Sequence, residues 1–239
     1  MIVACARGIE GGPDDVSHRL VPRPLATVLR RTLRLASFGL RSHLANRTRV
    51  IDAVVRAAAA DGSKQLVILG AGLDARAHRL GELAGTTVFE IDQPSTQSYK
   101  RERAAALDVR AKELRYVPVD FERDDLGERL ASNGHDTNLR TTWIWEGVTP
   151  YLTREAVAGT LATVRSRSAP GSELVVTYVT PSALGNLTKP LFTLIREPLR
   201  WIVPTEEMHA LAREHGFEIG DETAPTTRIS ERVLVLRVP

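Results

Sequence analysis

A glycine turn is the first place where this chain could bind a ligand. The residues of Gln65–Leu69 are mostly apolar and partly β-branched, and Gly70, Ala71 and Gly72 follow directly. The apolar run predicts a buried parallel strand, and a helical pattern begins after the glycines. Glycine adopts backbone angles closed to other residues and lets a ligand approach the main chain. A helix start adds unpaired N–H groups and a positive dipole end. We therefore expect a ligand to bind against this turn.

An acidic residue further along the chain indicates the class of that ligand. Residues 86–91 read as a second strand, and Asp92 follows them. Asp92 lies about twenty residues past the glycines, which is the spacing that places a carboxylate beside a ribose. A carboxylate can accept hydrogen bonds from both ribose hydroxyls. The turn and Asp92 together indicate an adenosine-containing cofactor, either a nicotinamide dinucleotide or S-adenosylmethionine.

Two more predicted strands also end in acidic residues. Residues 115–119 lead into Asp120 and Phe121, and residues 141–146 end in Glu146. In open α/β sheets, ligands bind beyond the carboxyl ends of the strands, at the switch point between the two halves of the sheet. We therefore expect Asp120, Phe121 and Glu146 to lie at the same edge as the glycine turn, with Glu146 across from Gly70.

Four motifs in this order resemble one known family. LGAGLDAR at 69–76, FEIDQP at 89–94, VPVDF at 117–121 and WEGVTPYL at 145–152 are similar to motifs of the leucine carboxyl methyltransferase family. They are more similar still to its bacterial branch of S-adenosylmethionine-dependent methyltransferases. The resemblance runs from about Arg47 to the C-terminus, and the segment before it matches poorly. It implies S-adenosylmethionine as the cofactor.

The resemblance also implies a role for each candidate residue. Arg47, with Arg49 as its competitor, would reach the cofactor carboxylate, which suits an arginine fork. Asp120 and Phe121 would frame the adenine. Glu146 would approach the amino or methionyl part, where an acid near a cation is electrostatically favourable. Plainer roles stay open, namely a solvated surface arginine for Arg47 and an Asx turn for Asp120.

The reaction that this predicts is methyl transfer to an oxygen, with a carboxylate of a small-molecule acid as the acceptor. A carboxylate is ionised at neutral pH and needs no general base, and the sequence shows no obvious one. If the acceptor is a hydroxyl, His135, Tyr151 or Tyr178 could assist, and nothing in the sequence selects among them. The alternatives are a nicotinamide-dependent oxidoreductase and a non-catalytic cofactor-binding protein of the same fold.

Helix signals alternate with the predicted strands. Residues 48–60 carry apolar side chains on one side, residues 75–83 follow the glycine turn, and residues 94–107 begin with a proline at a first helical position. Thr153 and Thr205 are plausible N-caps of the helices that follow them. Strands joined by helices in this way predict a mostly parallel sheet.

The order of elements predicts an α/β fold of class I methyltransferase type. We expect a Rossmann-like, mostly parallel seven-stranded sheet with helices on both faces and an antiparallel C-terminal strand. Residues 1–46 would form a lead-in and lid helices, and residues 47–239 the S-adenosylmethionine-dependent domain. An apolar helical insert at about 181–204 would roof the substrate pocket. The closing strands at 217–220 and 232–238 are typical of methyltransferases and not of dinucleotide domains.

Composition limits the location and the partners. The chain has 239 residues, 43% hydrophobic and 26% charged, which is an ordinary soluble globular mix. It has no apolar run long enough to cross a bilayer. Residues 1–6 lack the basic leader of a signal peptide, and Cys5 is the only cysteine. We therefore expect a cytoplasmic protein that does not bind membranes.

The distribution of the basic residues does not indicate a specific binding surface. The net charge is +3, and the arginine-rich stretch at 19–49 contains a single aromatic residue, Phe38. A nucleic-acid interface would need a denser basic stripe with interleaved aromatic residues, so we expect none. We expect helices at 25–44 to cover the cofactor or to form a homodimer contact; a membrane-surface helix is the disfavoured alternative. None of the six histidines forms a metal-binding motif, so we expect no metal.

Overall fold

The computed structural model describes residues 14, 16–21, 40–120, 123–182, 199–225 and 230–239. Seven strands form one sheet in the order β3-β2-β1-β4-β5-β7-β6. The first five strands pair in parallel, and β7 is antiparallel to both β5 and β6. This confirms the predicted mostly parallel sheet with its antiparallel C-terminal strand. The strands are β1 Gln65–Leu69, β2 Thr87–Asp92, β3 Glu113–Pro118, β4 Thr141–Trp145, β5 Glu173–Val179, β6 Glu218–Thr223 and β7 Glu231–Arg237.

Helices connect these strands. Short 3-10 turns lie at Ser17–Leu20, Gly81–Gly85 and Thr149–Tyr151. The predicted N-cap of the helix after β4 is confirmed, because the Thr153 side chain accepts a hydrogen bond from the backbone N–H of Ala156. The described helices are α1 Leu40–Ala60, α2 Arg76–Arg79, α3 Pro94–Ala104, α4 Leu126–Ser132, α5 Arg154–Ser166 and α6 Thr205–Glu214.

Each face of the sheet is buried against its own group of helices. One core joins side chains of all parallel strands to α4, α5 and α6, and it includes Trp143 and Trp145, both fully buried. The other core joins the opposite face of β1, β2 and β4 to α1 and α2. All five residues of β1 and of β4 are buried, because a central parallel strand is covered on both sides. The carboxyl ends of these strands are therefore held in one rigid edge.

Two local predictions were wrong in detail, and one helix was not predicted. The helix predicted over 75–83 is divided at Leu80, where ψ is 104° and the chain is extended. Thr205 lies inside α6 and does not cap it; Pro204 occupies the N-cap position without a side-chain hydrogen bond. The helix α4 was not predicted, although Asp125 caps it by accepting from the N–H of Glu128.

Two predicted segments fall largely outside the described residues. The N-terminal helices at 25–44 are described only from Leu40, and α1 runs across the predicted boundary at 47. The insert at 181–204 is described only at its two ends. Its second end lies against the 3-10 turn after β4, because Arg200 and Trp201 donate backbone hydrogen bonds to the carbonyl of Pro150 at 2.7 and 3.1 Å. Both segments stay predictions.

Candidate functional site

The glycine turn and the end of β2 are joined by hydrogen bonds. The backbone N–H of Gly72 donates to Oδ2 of Asp92 at 2.5 Å, and the N–H of Ala71 donates to the carbonyl of Ile91 at 2.9 Å. The other carboxylate oxygen of Asp92 accepts from the N–H of Gln93 at 2.7 Å. The twenty-residue spacing seen in the sequence therefore becomes a direct contact at the carboxyl edge of the sheet.

The two glycines of the turn serve different purposes. Gly70 has φ +66°, and a Cβ built on it would lie 2.6 Å from Cγ2 of Val148. Gly72 has φ +50°, and among the described residues a Cβ there would meet nothing closer than the Gly70 carbonyl oxygen at 4.0 Å. Gly70 is therefore required by packing inside the protein. Gly72 instead borders open space into which a ligand could approach the main chain.

Arg47 and Glu146 face each other at the same edge. Arg47 lies on α1 and is buried, and its Nε donates to Oε1 of Glu146 at 2.8 Å. Its Nη1 donates to both carboxylate oxygens of Glu231 at 2.8 and 2.9 Å. Burial by itself lowers the pKa of Arg47, but Glu231 and Glu146 outweigh it and raise the pKa above its ordinary value. The competitor Arg49 is exposed and donates to Asn46 instead.

This pair belongs to a larger group of buried charges, which we call the ion network. Glu146 also accepts from Nη1 of Arg76 at 3.0 Å, and Nε of Arg76 donates to Asp52 at 2.9 Å. Arg79 binds the same Asp52 at 2.7 Å. Charges this deeply buried are tolerated because each contacts opposite charges. The members of the ion network are Asp14, His43, Arg47, Asp52, Asp74, Arg76, Arg79, Glu146 and Glu231.

Most of the ion network was not predicted from the sequence. Arg76 ends the motif LGAGLDAR, and that position was the available signal. Asp52 interrupts the apolar side of α1, which is the place where a buried acid needs a cation. No local sequence pattern indicates a role for His43 or Glu231. The two are 188 residues apart, and only the position of β7 in the sheet brings Glu231 to His43.

Asp120 lies beside the end of β2. The N–H of Val119 donates to the carbonyl of Asp92 at 2.9 Å, which brings the two strand ends together. Asp120 is half-buried, and its own N–H donates to the Asp124 side chain at 2.8 Å. The predicted adenine partner Phe121 lies outside the described residues.

Of the three candidate catalytic residues, only Tyr151 lies in the loop after β4. It ends the 3-10 turn Thr149–Tyr151 and is half-buried. The hydroxyl of Tyr178 is instead hydrogen-bonded to Glu222 of β6 and to Thr205 of α6. Burial and the neighbouring Glu222 raise the pKa of Tyr178 above its ordinary value. The Tyr178 hydroxyl is thus held between α6 and the edge strand, where we expect it to act structurally.

His135 lies at the opposite edge of the sheet from the glycine turn. Its Nε2 is 3.2 Å from Oγ1 of Thr141, the first residue of β4. Its ring contacts the rings of Phe89 and Trp143, with centroid distances of 5.6 and 5.2 Å. Burial, helped by the charge of Arg167, lowers the pKa of His135 to about 4. The geometry therefore favours a packing role for His135 over proton transfer at the site.

The buried His135 predicts a pH effect. The folded protein keeps the imidazole neutral, whereas the unfolded chain takes up a proton below its ordinary pKa. The contribution of His135 to stability is therefore complete above about pH 6.5 and is lost as the pH falls towards 4. The unfolding free energy of the wild type minus that of His135→Gln should fall by about 2–3 kcal/mol between about pH 7 and pH 4 in urea titrations. A difference that does not change with pH would contradict this.

Two absences apply to the part of the chain that the structure describes. It contains no group of three or more His, Cys, Asp or Glu side chains placed to hold a metal ion. No helix in this part has the length and apolar character needed to cross a membrane.

Comparison with known proteins decides the family. The model of the leucine carboxyl methyltransferase family matches residues 14–165. The chain belongs to this family. The matched range includes the glycine turn, Asp92, Asp120 and Glu146. The family model therefore covers these residues of the carboxyl edge.

Curated relatives of the family agree. The chain is 46% identical over 143 residues to a protein of Mycobacterium avium, which covers 59% of this chain and 46% of the relative. It is 42% identical over 177 residues to a protein of Mycolicibacterium paratuberculosis. This alignment covers 74% of this chain and 53% of the relative. Both are named "Putative S-adenosyl-L-methionine-dependent methyltransferase". The chain spans about half the length of these relatives.

Solved structures agree on the fold. The structure of a putative methyltransferase from Thermobifida fusca superposes with a TM-score of 0.67 at 16% identity. The superposition covers 99% of this chain and 93% of that one. Magnesium protoporphyrin IX methyltransferase from Synechocystis, with S-adenosylhomocysteine bound, has a TM-score of 0.58 at 15% identity and covers 89% and 95%. The fold is therefore that of class I methyltransferases.

Proposed function

We propose that this protein is an S-adenosylmethionine-dependent O-methyltransferase that methylates the carboxylate of a small-molecule acid. The observation that carries the proposal is the contact between Gly72 and Asp92 at the carboxyl edge of the sheet, with Arg47 and Glu146 at the end of β4. A carboxylate, an open stretch of main chain and a pair of opposite charges therefore lie along one edge. A cofactor with an adenosine end and an amino-acid end matches this arrangement.

The residues at this edge fit such a cofactor. Gly72 borders open space, and Asp92 keeps lone pairs for ribose hydroxyls beside the two N–H groups that it accepts from. Nη2 of Arg47 makes no hydrogen bond with a described residue, and it lies 3.8 Å from the position that a Cβ of Gly147 would occupy. That nitrogen can donate to the carboxylate of the amino-acid end. Glu146 supplies the negative charge for the ammonium.

The chemistry asks little of the chain beyond positioning. S-adenosylmethionine, when bound, supplies a methyl group already activated by a sulfonium. The protein must hold the acceptor oxygen in line with that group and keep water away. Tyr151 and the buried Trp201, joined through the carbonyl of Pro150, border the end of β4 where an acceptor would lie. An ionised carboxylate acceptor requires no base, which supports an acid as the substrate.

The sheet order favours methyl transfer over hydride transfer. The antiparallel β7 lies between β5 and β6, an arrangement that we expect of methyltransferases and not of dinucleotide domains. A homodimer stays a prediction, which size-exclusion chromatography with light scattering would test.

The first experiment is calorimetric titration with S-adenosylmethionine, S-adenosylhomocysteine and NAD in parallel. We expect micromolar binding of the first two and none of NAD. Labelled S-adenosylmethionine and a panel of small acids and phenols then test the acceptor. A carboxyl methyl ester releases labelled methanol in alkali, whereas a methyl ether does not. Binding of NAD alone would overturn the proposal, and label that resists alkali would replace the carboxylate by a hydroxyl.

Asp92 gives the test of the cofactor site at a single residue. Asp92→Asn should weaken S-adenosylmethionine binding by about 1–3 kcal/mol, the value of a charge-assisted hydrogen bond. Asp221→Asn is the matched control, because Asp221 is 85% exposed at its side chain and lies on the edge strand β6. Calorimetry should show weaker binding for the first variant alone. Equal affinity in both variants would remove Asp92 from the site.

A further inference from the structure

Glu231 is the first residue of β7, far in sequence from the motifs of the site. β7 runs antiparallel to β5 and pairs Glu231 with Val179, the last residue of β5. This antiparallel register brings the start of β7 to the carboxyl edge, where the parallel strands end. Glu231 is 6% exposed there. It also lies beyond residue 165, where the match to the family model ends.

Glu231 contacts two residues of α1. Both of its carboxylate oxygens accept from Nη1 of Arg47, at 2.8 and 2.9 Å. Its Oε2 also meets Nε2 of His43, which is buried. Burial alone would raise the pKa of Glu231, but Arg47 and His43 outweigh it and lower the pKa. Glu231 therefore holds a fixed negative charge against the guanidinium.

The two acids together fix the plane of the guanidinium. Glu146 accepts from Nε of Arg47, and Glu231 accepts from Nη1. A planar guanidinium held at two of its nitrogens cannot rotate without breaking one of these contacts. The third nitrogen, Nη2, makes no hydrogen bond with a described residue and lies beside Gly147, which has no side chain to cover it. The geometry thus leaves Nη2 as the donor directed away from both acids.

We infer that Glu231 is a positioning residue that orients Arg47 to bind the carboxylate of the amino-acid end of the cofactor. The inference rests on the proposed function, because it needs a cofactor with such an end. It gives β7 a part in cofactor recognition beyond completing the sheet. Without Glu231, the guanidinium keeps a single acidic partner at Glu146 and gains freedom to turn, so its bond to the cofactor carboxylate is weakened.

The test compares two ligands that share the adenosine end. S-adenosylhomocysteine carries the amino acid, whereas 5′-methylthioadenosine lacks it. In Glu231→Gln, calorimetry should show about a tenfold weaker affinity for S-adenosylhomocysteine and an unchanged affinity for 5′-methylthioadenosine. Glu173→Gln is the matched control, because Glu173 pairs with Arg237 in a more exposed ion pair at the other end of β5. It should change neither affinity.

Several outcomes overturn the inference. Equal weakening of both ligands in Glu231→Gln would show a merely structural role, and no weakening of either would show no role. If circular dichroism shows that Glu231→Gln is unfolded, Glu231→Asp replaces it, because it keeps the charge but moves it away from Arg47 by one methylene. The affinity for S-adenosylhomocysteine relative to that for 5′-methylthioadenosine then tests the inference in the same way. Wild-type protein that binds neither ligand would overturn the proposed function, and the inference with it. Wild-type binding of both ligands with no selective loss would overturn the inference alone.

Discussion

Replacing Arg76 by methionine should lower the free energy of unfolding by about 3–5 kcal/mol, the usual cost of removing one partner from a buried ion pair. Arg76 has no exposed surface, and it donates to Asp52 at 2.9 Å and to Glu146 at 3.0 Å. It also forms an ion pair with Asp74. Attraction from these acids outweighs the effect of burial and raises the pKa of Arg76 well above its ordinary value. Methionine fills a similar volume but leaves three buried carboxylates with less compensation.

A surface pair provides the control for this prediction. Arg56 binds Glu82 at 2.9 Å, and both side chains are nearly half exposed, at 45% and 47%. Such pairs contribute at most about 1 kcal/mol, so Arg56→Met should change stability little. Urea unfolding followed by circular dichroism measures both variants. If Arg76→Met unfolded at the same urea concentration as Arg56→Met, the ion network would not be a main contributor to the stability of the fold.

Alanine substitutions at the two glycines of the turn should separate folding from binding. Gly70→Ala should lower the free energy of unfolding by about 2–4 kcal/mol. About 1–2 kcal/mol comes from placing a Cβ at positive φ, and the rest comes from overpacking against Val148. In the part of the chain that the structure describes, Gly72→Ala meets no atom closer than 4.0 Å, so it should cost only the conformational part, about 1–2 kcal/mol. Its methyl group enters the open space beside the turn, and we expect S-adenosylmethionine affinity to fall more than tenfold.

Val148 separates the two costs at Gly70. Val148→Ala removes the side chain that the new Cβ would strike, so Gly70→Ala in that background should lose only the conformational part. The measurements are urea unfolding for stability and calorimetry for affinity. The prediction would fail if Gly72→Ala bound the cofactor as the wild type does, because the open space would then not belong to the cofactor site.

The sequence was sufficient for the parallel half of the fold. The strands β1 and β5 have the predicted bounds, because a run of buried apolar residues between turn signals has few alternatives. The position of Asp92 beside the glycine turn followed from spacing, since consecutive parallel strands end at the same edge. The divided helix after the turn did not follow, because helical periodicity over a few residues does not show where the chain becomes extended at Leu80.

Side-chain direction was the main thing that the sequence left open. His135, Tyr151 and Tyr178 were equivalent as candidate catalytic residues, because a residue type does not say towards which edge or layer it points. The fold separates them: His135 packs at the amino end of β4, and the hydroxyl of Tyr178 is bonded between α6 and β6. Tyr151 alone lies in the loop at the carboxyl end of β4.

What the sequence by itself determined is the family, the glycine turn and the acid at the end of β2, since all three depend on residues close together or at a fixed spacing. What only the tertiary structure decided is the environment of Arg47. Its partners Glu146 and Glu231 come from positions 99 and 184 residues away. The contact with Glu231 depends on the antiparallel pairing of β7 with β5, a long-range contact that leaves no periodic signal in the chain.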